Sequence, residues 1–138
     1  MMLYKLDDYN TETAVLVGTI FFVVFIGPIL ALHFNHYFIA RGCSLIYNEQ
    51  TGQLAYDNGG NEISFGVKDI ENITVYKSWS MAKGRTPTLP TDIYNYAVIE
   101  LKDGQVLKIS SLLVYELDKV VKFENTEIKK TFYAWMPS

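Results

Sequence analysis

The hydrophobic pattern of the chain changes character once, near residue 40. From Thr13 to Ala40 the sequence carries no Asp, Glu, Lys or Arg. Its apolar heart, Ala14 to Leu32, approaches the roughly 20 residues that one helical crossing of a bilayer needs. Pro28 lies inside this run; it removes the hydrogen bond to the carbonyl of Val24 and predicts a kink. Beyond residue 40 the apolar period becomes two. Short runs at Ser44–Tyr47, Gln53–Tyr56, Glu62–Phe65 and Ile70–Tyr76 predict strands, the first three separated by turn formers at Asn48–Gly52 and Asp57–Gly60. Tyr96–Leu101 and Gln105–Ile109 flank Lys102-Asp103-Gly104, and the Asp-Gly step predicts a tight antiparallel hairpin. Ser110 or Ser111 then offers a cap for a helix beginning near Leu112, with Leu113, Leu117, Val120 and Val121 on one face and an Asp118–Lys122 pair four residues apart. The tail from Asn125 reads two ways. Ile128, Phe132 and Trp135 follow helical spacing, and an apolar tail packed on the sheet fits equally well.

The expected organisation is a polar lead at 1–12, a single N-terminal transmembrane helix with its interfacial end at 13–40, and a mainly-β domain with a C-terminal helix and tail at 41–138. A cleaved signal peptide would begin with a basic segment and end in a small-residue cleavage site. Here Lys5 faces Asp7, Asp8 and Glu12, and no Ala-x-Ala step follows, so the anchor is read as retained. Positive charge beside the helix is limited to Lys5, the α-amino group and Arg41; the short acidic lead favours a cytoplasmic domain on the cell inner membrane. Ala14 and Gly18 form a small-xxx-small pair that would let a second copy approach.

Charge changes the picture by exclusion. The domain from Arg41 holds 11 Lys or Arg against 12 Asp or Glu, so it offers no electrostatic footprint for nucleic acid. The single Cys43 precludes an internal disulfide.

The order of elements, a meander of short strands, an Asp-Gly hairpin and one amphipathic helix, resembles the pleckstrin-homology-like (PH-like) modules of small bacterial membrane proteins. Gly52-Gln-Leu-Ala-Tyr56, Ile63-Ser-Phe-Gly-Val-Lys-Asp-Ile70 with Ile73, and the stretch Val98 to Leu113 carry the likeness. The resemblance implies an antiparallel sheet or partly open barrel closed by a C-terminal helix, and a membrane-proximal adaptor role. Six strands are evident where that fold has seven, so one is missing or lies around Tyr37 to Arg41. No basic pocket for a phosphoinositide stands on the first hairpin, and the resemblance implies no ligand.

Candidate chemistry is sparse. His33 and His36 sit three apart, yet no Cys, Asp or Glu accompanies them between Thr13 and Ala40; they read as interfacial anchors rather than metal ligands. The domain itself has no histidine to serve a serine or Cys43 nucleophile, and Glu116 with Asp118 reads as part of a solvated face. No catalytic residue, metal or cofactor is expected. The candidate surface is Lys77, Trp79, Met81, Lys83 and Arg85, where three cations and two apolar side chains suit an anionic headgroup layer or a partner's acidic face. Lys129 to Met136 repeats that composition. The leading expectation is a non-catalytic adaptor or accessory subunit of a membrane complex; a lipid-headgroup sensor and a small immunity-type protection protein are the alternatives.

Overall fold

The computed structural model describes residues 11–137; Ser138 and the first ten residues of the expected polar lead lie outside them. The apolar run forms two consecutive helical segments, α1 (Thr11–Phe25) and α2 (Gly27–Ala40). Together they make the one helix among the described residues that is long and apolar enough to cross a membrane, 30 residues from Thr11 to Ala40. The break falls at Ile26, two residues before Pro28. Helical hydrogen bonds run through it: Ile26 N donates to Phe22 O at 2.8 Å and Leu30 N to Ile26 O at 3.0 Å.

The polar half of the chain folds into two sheets that do not close into a barrel. The first holds β1 (Ser44–Asn48), β2 (Gln53–Asp57) and β3 (Glu62–Gly66), all antiparallel. The second holds β4 (Ile70–Ser78), β5 (Tyr96–Leu101), β6 (Val106–Ser110) and β7 (Thr126–Thr131), in the order β6-β5-β4-β7. A single 3-10 turn, Val67–Asp69, carries the chain between sheets, and Asp69 Oδ2 accepts from Gly66 N at 2.8 Å. Alternation places Leu54, Tyr56 and Phe65 of the first sheet against Ile73, Val75, Ala97, Ile99, Leu107 and Ile109 of the second. The predicted hairpin joins β5 to β6. Gly104 has φ +92°, Leu101 N donates to Gln105 O at 2.8 Å, and Asp103 Oδ1 accepts from Gln105 N at 2.9 Å.

Three expectations change. The helix near Leu112 shrinks to one turn, α4 (Leu117–Val120). Ser110 Oγ does cap the segment, accepting from Leu112 N at 3.1 Å, but Glu116 adopts an extended backbone (φ −138°, ψ 93°) and interrupts the coil. Leu117 and Val121 still reach the core, while Val120 is exposed and Asp118 pairs with Lys77 instead of Lys122. Tyr37 to Ala40 is helical rather than a strand. The seventh strand is β7, in the tail, and it runs parallel to β4 with Ser78 opposite Thr131.

Parallel pairing has a consequence for the second sheet. Past β7 the tail doubles back over the face that looks away from the main core. There Ala134 and Met136 bury against Tyr96, with Ile39 of α2, Tyr76 and Val98 packed around them. The second sheet is thus covered on both sides, and α2 is part of one cover.

Candidate functional site at the helix–domain junction

One face of α2 carries Leu32, Asn35, His36 and Ile39, at helical spacing. Leu32 and His36 are fully buried, and Ile39 packs on the tail cluster. Apolar packing alone would let the helix slide or rotate against the domain. Three polar side chains fix its position instead. His36 Nε2 lies 2.6 Å from Ala134 O, and a carbonyl only accepts, so the proton is assigned to Nε2. His36 Nδ1 is then an acceptor for the Ser110 hydroxyl at 2.7 Å. Ser110 Oγ in turn accepts from Leu112 N, so a relay joins helix, tail and the end of β6. Asn35 pairs with backbone as a strand would: its Nδ2 donates to Met136 O at 3.0 Å and its Oδ1 accepts from Met136 N at 2.7 Å. His33 Nδ1 lies 3.0 Å from the Tyr94 hydroxyl, whose pKa burial pushes up. Lys108 Nζ donates to Pro137 O at 2.9 Å and secures the end of the tail.

This corrects the reading of His33 and His36 as interfacial anchors. Both rings point at the domain, and His36 is 0 % exposed. Among the described residues no group of three or more His, Cys, Asp or Glu side chains converges as metal ligands would. Cys43, at the helix end, accepts from the Tyr56 hydroxyl at 3.4 Å, and the burial of that hydroxyl raises its pKa.

The candidate surface divides. Lys77 is not on a loop: it sits in β4, 2 % exposed, with Nζ 2.9 Å from Asp118 Oδ1 and 3.4 Å from Glu116 Oε1. Glu116 and Asp118 are accordingly interior counter-charges rather than part of a solvated face. Burial of an ammonium requires such partners. Met81 also turns inward, on the single-turn helix α3 (Trp79–Ala82). Trp79, 61 % exposed, and the cations Lys83 and Arg85 remain at the surface.

Trp79 belongs to a larger apolar feature that the sequence did not reveal. Because β4 and β7 run the same way and end side by side, they deliver Trp79 and Phe132 to neighbouring positions. Both line a groove of about 510 Å³ with Leu89. The Leu89 turn is shaped by Asp92, whose Oδ2 accepts from Thr88 N and Leu89 N, each at 2.8 Å. On its other side Leu89 meets the helix. With Pro90, Thr91 and Tyr133 it lines a cleft whose far wall is Val24, Phe25, Pro28 and Ile29. A continuous apolar band therefore runs from the middle of the long helix onto the domain.

A family model described as PH domain matches residues 1–123. The chain belongs to the PH domain family. The match takes in the long apolar helix as well as β1 to β6, and it stops before β7 and the tail that clasps α2 in this PH domain. Neither a curated protein nor a solved structure matches the chain.

Proposed function

We propose that the protein is a non-catalytic, membrane-anchored adaptor whose PH domain presents a protein-binding surface at a set position beside the bilayer. The observation that carries this reading is the clasp formed by His33, Asn35 and His36. A tether that only localised a domain would need no buried polar contacts to it. Here three side chains on the helix are each matched to a specific partner in the domain or its tail. Such matching fixes orientation, which matters when a second membrane component must be met edge to edge.

The test is cross-linking in intact membranes followed by isolation of the full-length chain. The reading expects one protein at a stoichiometric ratio to the chain, and loss of that product when His36→Ala and Asn35→Ala release the domain. A chain that cross-links to no protein, or equally to many with and without the clasp, contradicts it.

A second reading, headgroup sensing, is favoured by Lys83 and Arg85 beside the exposed Trp79. It predicts that the full-length chain distinguishes anionic from neutral vesicles in a salt-dependent way. An adaptor shows no such discrimination.

A further inference from the structure

The helix is too short to cross a bilayer before it meets the domain. Glu12 is the last charged residue on its N-terminal side, so the hydrocarbon layer begins near Thr13. From there roughly 20 residues are required, which brings the far boundary to about Leu32. Yet the domain already lies against the helix at Val24 and Phe25, and Leu32 is buried beneath it. Within the layer only the part of α1 ahead of that contact, Thr13 to Val23, stands clear of the domain, and none of its residues is buried. At about 1.5 Å per residue those residues span roughly 16 Å of a layer about 30 Å thick.

We infer that the part of the domain level with Val24 to Leu32 is itself immersed in the lipid of the bilayer that the helix crosses, with Leu89 and Tyr133 against the helix on the acyl-chain side and Trp79 and Phe132 beside them completing a collar toward the headgroups. This rests on the membrane-anchored reading above. The composition of that surface fits the position. Leu89 and Phe132 are 53 % and 68 % exposed, a poor arrangement for water and a good one for lipid. Trp and Tyr favour the headgroup level. Lys83 and Arg85 follow Trp79, and Lys129 and Lys130 precede Phe132, so cations flank the apolar collar where phosphates lie. The Leu89 turn brings no unpaired donors with it at Thr88 and Leu89, because Asp92 accepts both backbone N–H groups. Backbone left unsatisfied would be excluded from this depth. The immersed domain lengthens the effective apolar thickness of the anchor without lengthening the helix.

The experiment is depth-dependent fluorescence quenching of the full-length chain in phosphatidylcholine vesicles. The chain has two tryptophans, so Trp135→Phe leaves Trp79 as the sole emitter. Lipid brominated on the acyl carbons nearest the glycerol is expected to remove Trp79 emission, and aqueous iodide to leave it. A second protein, with Phe21→Trp in a Trp79→Phe, Trp135→Phe background, reports on α1; lipid brominated deep in the chains should quench it. If Phe21→Trp is quenched while Trp79 responds to iodide alone, the helix spans but the collar stands in water, and the inference is overturned with the anchoring intact. Trp79 shielded from both quenchers means that a protein or a second copy covers the collar, which also overturns it. If neither site responds to brominated lipid, the membrane-anchored reading falls, and the collar with it.

Discussion

Lys77 reaches from β4 beneath the Glu116–Asp118 segment, where two carboxylates compensate for its burial and Lys119 holds Glu116 from outside at 2.7 Å. Glu116 interrupts the helix expected near Leu112, and its extended backbone turns the carboxylate toward Lys77. Removing one member of such a group leaves buried charge uncompensated. Lys77→Met is therefore expected to destabilise the protein by about 3–5 kcal/mol in urea titrations of the full-length chain in micelles. Lys83→Ser and Arg85→Ser, on the exposed loop, should each change stability by less than about 0.5 kcal/mol. Equal effects at all three positions would contradict the division of this surface. Composition put the three cations together because they are close in sequence; burial separates them, and only the strand register shows that Lys77 points inward. The histidines illustrate the same limit. Their spacing was legible, but Ser110 and Ala134, which take up the two nitrogens of His36, lie 74 and 98 residues away.

At the scale of elements, local signals carried far. Asp103-Gly104 marks a turn through backbone preference alone, and Gly104 occupies a φ that side chains with a Cβ rarely adopt. A Cβ there would meet nothing within 4 Å, so the penalty for Gly104→Val comes from backbone strain rather than collision. It is expected to be about 1–3 kcal/mol, read as a lowered melting temperature. An unchanged melting temperature would mean the turn relaxes freely. The long helix, the six strands up to Ile109 and the hairpin were legible for the same reason: each rests on periodicity or turn chemistry within a dozen residues. β7 was not. Thr126 to Thr131 alternates poorly because it is an edge strand with mostly exposed side chains, and its partner β4 is some fifty positions earlier. The helix after Leu112 failed for the opposite reason. Its apolar spacing is real, but the ion pair made by Glu116 and the core contacts of Leu113, Val114 and Leu117 outweigh helix propensity.

On the scale of the whole molecule, helix and domain share their packing. Cutting at Arg41, the boundary that charge suggests, would strip Leu32, Asn35, His36 and Ile39 from Tyr96, Ala134 and Met136. A fragment 41–138 should therefore be less stable than a fragment 27–138 by roughly 3 kcal/mol or more, the worth of a buried leucine and of hydrogen bonds left unmade. Coincident melting of the two would show that the clasp contributes nothing. The family match begins at residue 1 and so includes the helix. The most direct test of the central claim, that helix and PH domain move as one body, is a distance between spin labels on full-length protein in lipid nanodiscs. With Cys43→Ser as background, labels at Phe34→Cys on the outer face of α2 and at Lys102→Cys on the hairpin report on that geometry. One narrow distance distribution is expected, and it should broaden when His36→Ala and Asn35→Ala are added. A distribution already broad in the protein with its clasp intact would contradict it.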